Sequence, residues 1–132
     1  NCGAELADML QKNWIFRGVC GPSGQQLVSN PEGFISQLAR PTMEFAVIAG
    51  AQGTPDGYNP LIPGDDDGIV TLKSALLPGA VDSITVRGLH SFQPWNPEVI
   101  AATRRYLKTG ALRESGVREP IPVEENLAVD KR

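Results

Sequence analysis

"FAVIAG", Phe45 to Gly50, contains no polar side chain. A strand that faces solvent on one side alternates polar and apolar residues, so an unbroken apolar run of this length reads as a strand covered on both faces, as in a parallel sheet. "SITVRG", Ser83 to Gly88, differs: Ile84 and Val86 alternate with Thr85 and Arg87, the pattern of a half-buried strand. The connection between the two runs is long and carries a short helical pattern around Leu72 to Leu77, as a parallel crossover requires. A third, weaker strand candidate is "WIFRGV", Trp14 to Val19.

Helices flank these strands. Asn30-Pro31-Glu32 and Asn96-Pro97-Glu98 carry the same opening signal: an Asn oxygen to accept free amides, a Pro whose missing donor costs nothing there, and an acid at the positive end of the helix. The first helix is short, with Phe34, Ile35 and Leu38 inward and Pro41 closing it. In the second, Val99, Ile100, Thr103, Tyr106 and Leu107 form the expected buried stripe, and Gly110 ends it. A further helix runs from Ala4 to about Lys12 through Leu6, Met9 and Leu10. Strands alternating with helices imply an α/β architecture, a small, mostly parallel sheet packed with helices, over residues 1–110. Residues 111–132 mix proline with charge and are expected to lie over the surface or stay disordered.

Composition narrows the function classes. The 132 residues are 41% hydrophobic and 20% charged, with a formal charge of −3. There is no basic surplus to neutralise phosphates and no interleaving of aromatics with Arg and Lys, which argues against a nucleic-acid partner. No apolar run reaches the roughly 20 residues of a transmembrane helix. Cys2 and Cys20 lack metal-site spacing and read as small apolar residues unless an oxidising compartment pairs them. A chain that starts with Asn1 fits processing or excision from a longer one, and compartment is left open. No metal or cofactor is implied.

The chemistry converges on "GDDDGIVTLKSALLPGAVDSITVRGLH", Gly64 to His90. His90 is the only histidine, so any histidine-dependent proton transfer uses it. It follows the second strand by two residues, and the Gly- and Pro-rich loop from Ala51 to Asp67 follows the first. Loops at carboxyl strand ends of open α/β sheets build sites, and these two should open on the same edge. Asp65, Asp66 and Asp67 can be a solvated acidic turn, a cation site, or one oriented carboxylate with two bystanders. EF-hand spacing is absent. Asp67 is the expected working carboxylate, because Gly68, Ile69 and Val70 follow at once and hold its backbone against the core.

"VIAG", "PGDDDGIVTLKSALLPGA", "SITVRGLH" and the helix from Pro97, in this order, resemble the C-terminal part of α/β-hydrolases of the lipase and esterase type. "GPSGQQL", Gly21 to Leu27, is also similar to bacterial lipase-like hydrolases. The resemblance covers about residues 5–110 and is strongest over 44–108. It implies that Asp67 is the triad acid, that His90 is the triad base, and that the parent substrate is a small ester or lipid-like molecule. Phe92, Pro94 and Trp95 could then line an acyl pocket, although packing into the core or over the helix start suits Trp95 better.

One part of the pattern is missing. No serine has glycine at both −2 and +2, so there is no Gly-x-Ser-x-Gly elbow, and Ser23, in Gly21-Pro22-Ser23-Gly24-Gln25, comes nearest. Three readings compete. The chain can be the C-terminal part of a hydrolase, inactive alone, that needs an N-terminal half or self-association through an exposed strand edge. Cys20 can replace the serine, although Pro22 stands where the second glycine belongs. Or the chain can be a non-catalytic α/β binding module derived from a hydrolase.

Overall fold

The structure, a computed structural model, describes residues 38–39 and 41–123. The helix from Ala4, the strand from Trp14, both cysteines, Gly21 to Leu27, nearly all of the helix from Asn30 and the last nine residues lie outside the described residues.

Two strands form a parallel sheet, β1 (Ala46–Ala51) and β2 (Asp82–Arg87). They pair in register from Ala46 opposite Asp82 to Ala51 opposite Arg87. The crossover between them carries α1 (Leu72–Ala75), capped by the Thr71 hydroxyl, which accepts the Ser74 N–H at 3.1 Å. After β2 the chain makes a short 3₁₀ segment, His90–Trp95, and then α2 (Pro97–Thr109). The described residues are thus an α/β arrangement with a small parallel sheet and helices.

Each element begins and ends where local chemistry dictates. Asn96 caps α2 by accepting the Glu98 N–H at 2.9 Å, and Pro97 occupies its first turn. Gly110 closes it with φ of +74°, a left-handed conformation that an L side chain resists, and its N–H bonds the Tyr106 carbonyl. In β2, Val86 is buried and Ile84 half-buried while Thr85 and Arg87 are exposed, as their alternation requires.

One expectation fails. The buried face of α2 is not the Val99, Ile100, Thr103, Tyr106, Leu107 stripe. Ala102 is the buried residue, flanked by half-buried Val99, Arg105 and Tyr106, whereas Ile100 and Thr103 are exposed and Leu107 is 79% exposed. The largest apolar side chains ordinarily mark the inward face of a helix. Here the short Ala102 lies over β2, lining a groove of about 470 Å³ with Ile84 and Leu112, and Arg105 straps the helix to the following segment. Its guanidinium donates to the Leu112 carbonyl and pairs with Glu114.

Residues 111–123, expected to lie over the surface or stay disordered, run over the surface and are anchored to the fold. Ala111 and Leu112 are buried. Ile121 exchanges backbone hydrogen bonds with the strand approach, its N–H donating to Ala80 at 2.9 Å and its carbonyl accepting from Gly79 at 2.8 Å. The anchor is Asp82, fully shielded from solvent, whose carboxylate accepts the N–H groups of Leu112 (2.7 Å), Glu119 (2.9 Å) and Ser83 (2.9 Å) and pairs with Arg113 (3.1 Å). Burial pushes the Asp82 carboxyl up, but the three amides and the guanidinium outweigh it and hold it below its ordinary value. Four donors around one carboxylate turn a polar segment into part of the fold.

Candidate active site

Parallel pairing puts the C-terminal ends of β1 and β2 side by side, Ala51 opposite Arg87. The chain leaving β1 and the chain leaving β2 therefore start from the same rim of the sheet. The Gly88 N–H adds one more rung by donating to the Ala51 carbonyl at 3.2 Å.

The loop after β1 is organised by the three aspartates, each of which takes a different stretch of backbone. Asp65 accepts the N–H groups of Gln52 (2.9 Å) and Gly53 (3.1 Å), the first amides beyond the strand. Asp66, completely buried, accepts the N–H groups of Asn59 (3.2 Å) and Gly68 (2.5 Å). Its carboxylate sits so close to Gly57 that a Cβ there would collide with it, and Gly57 also has φ of +60°. Asp67 closes a tight turn: its N–H donates to the Val70 carbonyl at 3.2 Å, and its Oδ1 accepts the Ile69 and Val70 N–H groups at 3.1 and 2.9 Å. Gly68, at φ of +96°, makes that turn possible.

These contacts correct the readings left open for the run. Asp65 and Asp66 are not bystanders, and the run is not a solvated turn, because Asp66 and Asp67 are both buried. The carboxylates point at N–H donors rather than converging on a cation. Among the described residues no group of three or more His, Cys, Asp or Glu could hold a metal ion.

Turn formation consumes one oxygen of Asp67 and leaves the other, Oδ2, directed at the chain leaving β2. His90 meets it there. Its Nδ1 lies 2.7 Å from Asp67 Oδ2, and its backbone N–H donates to the Asp67 carbonyl at 2.8 Å. Two bonds, one through the backbone and one through the ring, fix the imidazole against the carboxylate. The exposure of the pair is unequal: the Asp67 side chain is 7% exposed and the His90 side chain 49%. A shielded carboxylate that accepts at Nδ1 selects the Nδ1–H tautomer and leaves Nε2 with a lone pair. No described group bonds Nε2, so the half-exposed ring can receive a proton there.

The aromatic residues beyond His90 do not form a pocket with it among the described residues. Phe92 and Trp95 are 65% and 74% exposed, so Trp95 does not pack into the core. Because a 3₁₀ turn has three residues, Leu89, Phe92 and Trp95 fall on one row, and all are exposed. The next row, His90, Gln93 and Asn96, faces the strand ends. The Gln93 amide nitrogen donates to the Gly88 carbonyl at 3.0 Å, and the Asn96 amide nitrogen donates to the Arg87 carbonyl at 3.2 Å. Sequence reasoning singled out Asp67 and His90, which the structure brings into contact, and did not single out Gln93. Its only sequence signal is the three-residue spacing from the histidine.

No family model, curated protein or solved structure matches this chain.

Proposed function

We propose that the chain carries the acid and the histidine of a serine-type carboxylic ester hydrolase of the lipase and esterase kind, and that the serine comes from outside these 132 residues. The observation that supports this most directly is the 2.7 Å contact from His90 Nδ1 to Asp67 Oδ2, made by a carboxylate whose other oxygen is already held by two backbone amides. A hydroxyl is a poor nucleophile until a base takes its proton, and an imidazole is a competent base only if its tautomer and orientation are set. Asp67 is oriented by its turn, and His90 by Asp67.

In the proposed reaction, His90 Nε2 takes the proton of the serine hydroxyl as its oxygen bonds to the ester carbonyl carbon. Asp67 steadies the imidazolium. The carbon–oxygen bond to the leaving alcohol then breaks, His90 returns the proton to that alcohol, and an acyl-serine remains. Water repeats the cycle: His90 takes its proton as the water oxygen bonds to the acyl carbon, the bond from that carbon to the serine oxygen breaks to release the acid, and the serine recovers the proton. Backbone amides that stabilise the tetrahedral oxyanion belong to the half that bears the serine. The partner is thus an N-terminal hydrolase half that supplies the serine, and the strand edge is where it would join.

The test is hydrolysis of a short-chain nitrophenyl ester. The chain by itself should turn over little or none. Mixed with a serine-bearing N-terminal half of an α/β-hydrolase, it should restore turnover, and His90→Ala should abolish it. Turnover insensitive to His90→Ala, or none in any such mixture, refutes the hydrolase reading and leaves a non-catalytic module.

A further inference from the structure

We propose that Gln93 is a positioning residue for the Asp67–His90 pair, and that Gly50 is a glycine because it admits it; this rests on the hydrolase reading of that pair. His90 opens the 3₁₀ segment, so its ring can be no better placed than the segment. Gln93 lies one turn along the same row and ties the segment to the last carbonyl beyond β2, Gly88, at 3.0 Å. Its amide group comes to rest over Gly50 in β1, beside Asp67. A Cβ at Gly50 would collide with the Gln93 amide nitrogen and lie 2.9 Å from Asp67 Cβ. At Gly88 it would lie 3.2 Å from the Gln93 amide nitrogen and 3.3 Å from that of Asn96. The side chains of Gln93 and Asp67 therefore converge on one bare patch of β1, and the segment that carries His90 is tied there at both ends of one 3₁₀ turn, by Asp67 to His90 and by Gln93 to Gly88.

A second observation separates this role from ordinary packing. Gln93 Oε1 is shielded from solvent and has no hydrogen-bond partner. An orphaned buried acceptor weakens a fold, and a methionine of similar length would fill the space without it. Polar groups that cost stability without local compensation belong at functional sites. For stability alone Gln93 is a poor choice; for setting His90 through the Gly88 carbonyl it is a good one.

The experiment uses the full chain, in which every imidazole resonance belongs to His90 because there is one histidine. In the parent, the ring nitrogen shifts should report the Nδ1–H tautomer, with a downfield, slowly exchanging Nδ1 proton. In Gln93→Met that proton should broaden or move upfield while the thermal unfolding midpoint stays equal or rises. Gly50→Ala should disturb the same resonance by displacing Asp67 or Gln93. With the serine half added, Gln93→Met should lower kcat by about 10- to 100-fold, the loss a misplacement of about 1 Å causes, with KM unchanged. An Nδ1 proton unchanged in both variants overturns the positioning role and spares the hydrolase reading. If the parent lacks the Nδ1–H tautomer, the pair itself is wrong and both fall.

Discussion

Asp67→Asn separates the structural work of this side chain from its proposed chemical work. Oδ1 of Asp67 accepts the Ile69 and Val70 N–H groups, and an asparagine oxygen can do the same, so the turn survives. Oδ2 is 2.7 Å from His90 Nδ1, and an asparagine places an NH₂ there instead. Two donors cannot face each other at that distance. The ring must then offer Nδ1 as an acceptor, and its proton moves to Nε2, the atom that has to receive the serine proton. The stability loss is one charge-assisted hydrogen bond, discounted because the imidazole is half exposed: less than about 1.5 kcal/mol. The catalytic loss is that of a wrong tautomer, about 10,000-fold in kcat, or about 5 kcal/mol of barrier. Urea denaturation of the chain and ester hydrolysis with the serine half measure the two. Turnover within about tenfold of the parent, in a complex the variant still forms, would refute the triad-acid role. A stability loss comparable to the catalytic one would show that Asp67 is only a turn residue.

Four further predictions concern the fold. Asp82→Ala takes the acceptor from the buried Leu112 N–H and the part-buried Glu119 and Ser83 N–H groups and removes the ion pair with Arg113, and should cost about 3–5 kcal/mol in urea denaturation, with amide exchange at Leu112 and Glu119 speeding first. Because the folded Asp82 carboxyl is held below its ordinary 3.8, its contribution is fully present above about pH 4 and is lost as pH falls through the lower folded value. A milder Asp82→Asn variant should accordingly show a flatter stability profile across that acid range. Asn96→Ala removes the cap of α2 and the tie to the Arg87 carbonyl, for about 1 to 2 kcal/mol by thermal or chemical denaturation. Leu107→Lys should change stability by no more than about 0.5 kcal/mol, since the side chain faces outward; a loss of about 2 kcal/mol or more would restore the stripe read from the sequence.

How far the sequence carried depended on the range of the interaction. Strands at Phe45 to Gly50 and Ser83 to Gly88, the Asn96-Pro97 start and the Gly110 stop were legible because apolar period, capping and left-handed turns are settled within a few residues. The meeting of Asp67 with His90 was also within reach, since parallel strands send their following loops to one rim. Nothing local marks Asp82 as an anchor, because three of its four donors lie 30, 31 and 37 residues further along the chain.

The chain's local chemistry therefore determined which elements exist, where α2 begins and ends, and that one carboxylate and one imidazole follow adjacent strands. Tertiary structure decided the rest. It chose which face of α2 is buried: the small Ala102 is shielded and the bulky Leu107 is not. It gave all three aspartates separate backbone partners, because a folded loop turns its amides inward and each needs an acceptor. It also set Gln93 over Gly50, an arrangement that exists only once the two strands are in register.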